Sequence, residues 1–325
     1  MVETANIAAV AEIISKDLFS EFYWEKSGEW NINWGCEEQE RHKCKTHPSD
    51  VVFYYDEPYK PVRTYINCDL KSYARGTINS TNIKGAIEGL ARSLTCAEKS
   101  DEWRQKYIHN NSVPEICGLL FIYNHDGGYD KDFFSILNSV RHESLEIPKG
   151  SKIVVIGPYD IFWLNNVIYE IVMMRGKKEL PDKGNYSFHY PNLVLKKNVQ
   201  QQARAATLEM LTAPWITLSY DMPDIPNKKG YVVFYKRRGD SVEEFLYLID
   251  YLMHYQILSN DSFIKVKSID PDPQSSIFFD KAKQQYADEC GGGEKMKEKL
   301  NKIKYNQLTQ LQTKISLQEI GMRNG

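Results

Sequence analysis

Asp50, Asp69 and Lys71 are residues of the types that handle phosphate. Two carboxylates brought side by side repel, which raises the pKa of one of them unless a cation sits between them. A hard divalent ion resolves the conflict, and Mg2+ is held by one or two carboxylates together with waters and substrate phosphate oxygens. A lysine on the same face supplies positive charge where negative charge builds on phosphorus, and it can orient or help deprotonate the attacking water. Asp69-Leu70-Lys71 is the only acidic-x-Lys triplet in the chain.

A hairpin must position these groups. Residues Asp50 to Tyr55 and Val62 to Lys71 read as two strands, joined by the turn Asp56-Glu57-Pro58-Tyr59-Lys60-Pro61. Centring that turn between Tyr59 and Lys60 sets Asp50 opposite Asp69, with Cβ atoms about 5 Å apart if directly paired. The second strand alternates. Val62, Thr64, Ile66, Cys68 and Leu70 fall on a core face, and Arg63, Tyr65, Asn67, Asp69 and Lys71 form a polar row on the other. Arg63 and Asn67 on that row, and Ser72, Tyr73 and Arg75 just beyond the lysine, are candidates for contacts to a nucleic-acid backbone.

Around the hairpin, Ile7, Val10, Ala11, Ile14 and Leu18 recur at helical spacing, predicting a helix over about residues 4–23. Ser80 or Thr81 can cap a second helix with Ile83, Ile87, Leu90 and Leu94 inward, and Ile116 to Tyr123 reads as a buried strand. The run Pro48-Ser49-Asp50, then Asp69-Leu70-Lys71, with a helix before and a helix and strand after, resembles the PD-(D/E)XK nuclease superfamily, which includes restriction endonucleases and Holliday-junction resolvases. The resemblance covers about residues 5–125. It implies an αβββαβ core, Asp50 and Asp69 as ligands of Mg2+ or Mn2+, and Lys71 as the catalytic lysine. Many relatives add a glutamate from the first helix. Glu12 fits best because Trp24 follows at a suitable distance, with Glu21 second. Ser49 splits the Pro-Asp pair of the loose motif.

From about residue 150 the chain restarts as alternating strands and helices, including helices over Val199 to Leu211 and Ser241 to Tyr255 and strands near Trp215 to Tyr220 and Tyr231 to Tyr235. The expected fold is therefore mixed α/β: a restriction-endonuclease-like domain over residues 1–149, a second α/β domain over 150–290, and, over 291–325, a glycine joint leading into a final, locally basic helix.

Bulk composition narrows the role. Forty-one basic against forty-three acidic residues leave a net charge of −2, so no global field draws the molecule onto nucleic acid or an anionic membrane, and phosphate binding must be local. No apolar stretch is long enough to span a bilayer and no signal peptide is evident, which predicts a cytoplasmic protein without membrane association. Cys36, His42, Cys44 and His47 offer four donor atoms before Asp50, but their spacing matches no usual structural pattern, so zinc is not expected. The Gly157 turn and the Lys236-Arg237-Arg238 run read as core packing and a solvated loop. The expected activity is Mg2+-dependent endonucleolytic hydrolysis, of DNA in preference to RNA, in prokaryotic restriction or phage defence, with room for a second copy or a partner protein that delivers substrate. The competing expectation is a non-catalytic, nuclease-like binding or regulatory subunit of a larger complex.

Overall fold

The computed structural model describes residues 13, 15–109, 113–140, 145–191, 203–222, 225–226, 228–258, 262–291 and 293–308. The fold is mixed α/β, with sheets of mixed strand orientation and a second α/β region after the N-terminal one. Two compact units divide the described residues, one running to residue 165 and taking in 205–212, the other built from 166–204 and 213–308.

In the first unit, helix α1 (residues 15–21) is followed by β1 (Glu25–Ser27), β2 (Ile32–Gly35), the short α2 (Gln39–His42), β3 (Thr46–Ser49), β4 (Val51–Asp56) and β5 (Val62–Tyr73). Helices α3 (Ser80–Ala97) and α4 (Asp101–Tyr107) cross over to β6 (Val113–Asn124), and α5 (Phe133–Asn138) precedes β7 (Ile153–Ile156). The five-stranded sheet runs β1-β4-β5-β6-β7, and β2 pairs with β3 as a separate two-stranded sheet. Helix α1 followed by β1, β4, β5, α3 and β6 is the αβββαβ order, with β4 antiparallel to β5 and β5 parallel to β6.

The hairpin register is the one the turn centre predicts: Val51 pairs with Cys68, Val52 with Asn67 and Asp56 with Arg63. The polar row, however, is not a solvated face. Because β5 and β6 are parallel, their connection must cross over the sheet, and α3 covers the face carrying Tyr65 and Asn67. Tyr65 and Val52 pack there with Leu94, Trp103 and Tyr107, while Phe19 of α1 stacks on Trp24 and meets Phe53 on the opposite face. Only the two ends of the row, Arg63 on one side and Asp69 and Lys71 on the other, are partly open.

Helix α3 is capped one residue earlier than Ser80 or Thr81: the Asn79 side chain accepts the Asn82 amide at 3.0 Å. Ile83, Ile87, Leu90 and Leu94 are buried as their period requires. Short helices α4 and α5 escaped the sequence pattern because each is two turns or less, too short to display a period.

The second unit contains most of α6 (Pro158–Gly176), β8 (Tyr186–Phe188), β9 (Trp215–Asp221), β10 (Lys229–Tyr235), α7 (Val242–His254), β11 (Ser262–Ile269), α8 (Ser275–Glu289), α9 (Glu294–Asn301) and β12 (Ile303–Leu308). Its sheet order is β12-β11-β10-β9-β8, parallel from β10 to β12 and antiparallel from β8 to β10. Two expectations are corrected. Residues 203–207 are not helical and Leu208–Leu211 is a single 3-10 turn, so the described part of Val199 to Leu211 is no α-helix, and its remainder lies outside the described residues. The final helix stops at Asn301, and Ile303 to Leu308 pair parallel with β11 instead. There the unpaired edge of β11 outweighs a helical pattern whose continuation is polar.

Candidate active site

Asp50 occupies the bend between β3 and β4, one residue outside the ladder's first pair, Val51 with Cys68. Backbone and side chain are both tied. The Asp50 carbonyl accepts the Asn31 amide at 2.9 Å, and its Oδ2 accepts the Leu70 amide at 2.7 Å. Asn31 sits at φ 57°, a left-handed turn conformation that asparagine tolerates. Ser49, the residue that separates Pro48 from Asp50, is fully buried, and its hydroxyl accepts the indole N–H of Trp34 at 3.0 Å and of Trp103 at 3.4 Å. The insertion into the Pro-Asp motif thus fixes the strand that delivers Asp50.

Asp69 and Lys71 project from β5 toward α3, on the same face, and their side chains form an ion pair. Burial, and then the Asp69 carboxylate, push the Asp50 carboxyl up to about 6, against the pull of the Leu70 amide and Lys71. Burial works to lower the Lys71 ammonium, but the charges of Asp69 and Asp50 outweigh it and hold it above the ordinary lysine value. Two half-buried carboxylates, one of them destabilised in its charged form by the other, make a donor set that fits a divalent cation.

These groups line a cleft of about 440 Å³. Its floor is Asp50, Cys68, Asp69, Lys71 and Tyr73, and its walls come from β3 (Thr46, His47, Pro48) and from the α3 face bearing Gly85, Ala86, Gly89, Leu90, Arg92 and Ser93. Gly85 and Gly89 are one helical turn apart, and a Cβ at either would meet open space. They are not demanded by packing, although each costs a helix interior about 0.5–1 kcal/mol relative to alanine. Their effect is to leave the cleft wall bare backbone. His47 on the other wall is pushed down to about 4 by burial, helped by His42 and Arg92.

The other predicted residues divide. Tyr73 lines the cleft with Lys71. Asn67 does not. Its side chain is buried and donates to Ser93 Oγ at 3.0 Å, bonding β5 to α3. Arg63 lies at the far end of the strand, about 26 Å from Lys71 at strand rise, in a bidentate pair with Asp56 and over the Tyr54 ring. Ser72 faces away from the cleft toward His125, at 3.3 Å, and the Arg75 guanidinium pairs with Asp130 at 2.8 Å. Glu12 lies outside the described residues, and Glu21 ends α1. Trp24 is core, its indole donating to the Ala206 carbonyl at 2.6 Å. Arg92 was missed from the sequence; its signal is the spacing Gly85, Gly89, Arg92, which puts two glycines and a cation on one helical face.

Residues 1–160 match the family model described as the GAPS4 protein PD-(D/E)XK nuclease domain. No curated protein and no solved structure matches the chain. No helix among the described residues is long and apolar enough to cross a membrane.

Proposed function

We propose that this protein, whose residues 1–160 carry a PD-(D/E)XK nuclease domain, is a divalent-metal-dependent endonuclease that hydrolyses phosphodiester bonds in DNA. The observation that carries the reading is the juxtaposition of Asp50, its carboxyl pushed up to about 6, with Asp69 and Lys71 on the floor of an open cleft. Asp50 and Asp69 would hold Mg2+ or Mn2+. When bound, such an ion acts as a Lewis acid on phosphate oxygens and lowers the pKa of water.

The chain's own residues supply the rest. Lys71, held charged by its carboxylate neighbours, balances negative charge building on the phosphoryl group and orients the water that attacks in line. The Leu70 amide keeps one Asp50 oxygen occupied and so fixes the direction of the other. Arg92 and Tyr73 meet the sugar-phosphate backbone, and the bare wall at Gly85 and Gly89 lets that backbone approach the helix. Resemblance to the PD-(D/E)XK superfamily, which includes restriction endonucleases, supports a role in defence against foreign DNA, with a second copy supplying the second cut of a duplex.

Supercoiled plasmid incubated with Mg2+ or Mn2+ tests this. Wild type should nick or linearise it, chelation should stop the reaction, and Asp69→Ala should lower the rate at least about 100-fold. Absence of metal-dependent cleavage by wild type, or full activity in Asp69→Ala, overturns the proposal; cleavage of RNA alone overturns the substrate.

A further inference from the structure

Cys36 directly after β2, His42 at the end of α2, His47 within β3 and Cys96 in the last turn of α3 come together although they are far apart in sequence. One donor atom from each lies within 4.8 Å of all the others, and all four residues are buried. His42 Nδ1 is 3.4 Å from the Cys36 sulfur and 3.4 Å from the Cys96 sulfur, and the sulfurs are 3.7 Å apart. A disulfide requires about 2.05 Å. Ligands held tetrahedrally at about 2.3 Å for sulfur and 2.05 Å for nitrogen are separated by about 3.3–3.8 Å, the range of the three spacings among Cys36, His42 and Cys96, and His47, within 4.8 Å, needs to close by about 1 Å or less.

We propose that Cys36, His42, His47 and Cys96 bind one zinc ion in a closed Cys2His2 site that is structural and separate from the hydrolytic centre. Two thiolates and two imidazoles select zinc over the hard cations that Asp50 and Asp69 suit. Four protein ligands leave no position for substrate. The surroundings fit as well. His42 Nε2, buried and without a hydrogen-bond partner, faces Glu38 Oε2 at 3.7 Å, the carboxylate–histidine arrangement that orients a metal-bound imidazole, and Arg41 and Lys99 hold Glu38 in place. Cys44, from the flanking polar run, falls outside the four mutually close donors; its sulfur lies beside Cys36 and 4.0 Å from His47 Nε2, and it also lines the cleft. The spacing along residues 36–47 matches no zinc pattern because the fourth ligand comes from α3.

The position gives the ion its role. It would clip β3, which leads directly into Asp50, to the end of α3, whose other turns carry Arg92 and the two glycines, so both cleft walls are fastened at one point. The inference goes beyond the hydrolytic reading and does not need it.

Elemental analysis of the full chain, purified under reducing conditions without chelator or metal-affinity resin, tests it. One zinc per chain is expected. Cys96→Ser and Cys36→Ser should each lower zinc content at least tenfold, while Cys44→Ser retains it. Where a cysteine variant is insoluble, wild type loaded with Co2+ should show intense thiolate-to-cobalt charge transfer and a tetrahedral ligand-field spectrum. Less than a tenth of an equivalent of zinc after incubation with the ion, a Cys36–Cys96 disulfide in the reduced preparation, a weak octahedral cobalt spectrum, or loss of zinc in Cys44→Ser but not Cys96→Ser would each overturn the proposal.

Discussion

Asp50 Oδ2 accepts the backbone amide of Leu70, the residue between Asp69 and Lys71, at 2.7 Å. The bond crosses from the bend before β4 to β5 and holds the first carboxylate against the strand that carries the other two groups. It replaces the next rung of the ladder with a side-chain contact. Asp50 is thereby placed by the hairpin register and by a donor that no rotamer change can supply from elsewhere.

The raised Asp50 carboxyl makes metal affinity depend on pH. A ligand must lose its proton to bind, so apparent Mg2+ affinity should rise about tenfold per pH unit below about 6 and level off above it. Titration calorimetry across pH 5 to 8 checks this, and an affinity that does not vary with pH would show that Asp50 is not a ligand.

The same group sets a stability slope. The folded value, about 6, stands above the unfolded value of about 3.9, so the folded metal-free protein keeps a proton the unfolded chain gives up. Its contribution is intact below about pH 4 and is lost as pH rises through about 6. Asp50→Asn should abolish this part of the slope and, without divalent ions at neutral pH, melt above wild type by an amount on the order of 2 kcal/mol or less. Thermal melts in chelator at several pH values decide it.

Ser49→Ala should destabilise the first unit by about 1–3 kcal/mol or more, because two buried indole N–H groups, those of Trp34 and Trp103, lose their acceptor. Denaturant unfolding measures the loss. A change within about 0.5 kcal/mol would mean that other acceptors take over and that Ser49 does not anchor the strand.

The α3 wall separates stability from activity. Gly89→Ala meets open space and should stabilise by about 0.5–1 kcal/mol, whereas Gly89→Gln should project into the cleft and lower cleavage and DNA affinity while leaving the melt near wild type. Equal activity in both variants would remove this face from the substrate path.

Arg92, which lines the cleft, and Arg63, near the start of β5, should behave differently. Arg92→Ala should weaken DNA binding and reduce the slope of log affinity against log salt by about one, as expected for the loss of a phosphate contact. Arg63→Ala, which removes the pair with Asp56 and the cation over Tyr54, should leave binding unchanged and cost stability by about 1 kcal/mol or less.

The legible parts of this molecule are those governed by short-range rules. A turn centre and a period of two set the β4–β5 register, and a period of 3.6 set the inward face of α3. What was not legible depends on who covers whom. Asn67 and Tyr65 read as part of a polar row because nothing in β5 itself announces that the crossover helix will lie on it. Arg63 shares that row's parity with Lys71, yet strand length puts it far from the chemistry. Cys96 reads as one more small residue of α3, and only the packing of that helix end against β2 and β3 brings it to Cys36, His42 and His47. Likewise the last strand forms from a helix-like sequence because β11 leaves an edge to be paired.

The proposed action of Lys71 beside Asp50 and Asp69 on a phosphodiester is decided by the single-turnover rate of cleavage of an end-labelled DNA duplex at saturating Mg2+ by Lys71→Met, compared with wild type. The expected rate is at least about 100-fold lower, from the loss of one preorganised charge in a partly buried site. A rate within about threefold of wild type would contradict it.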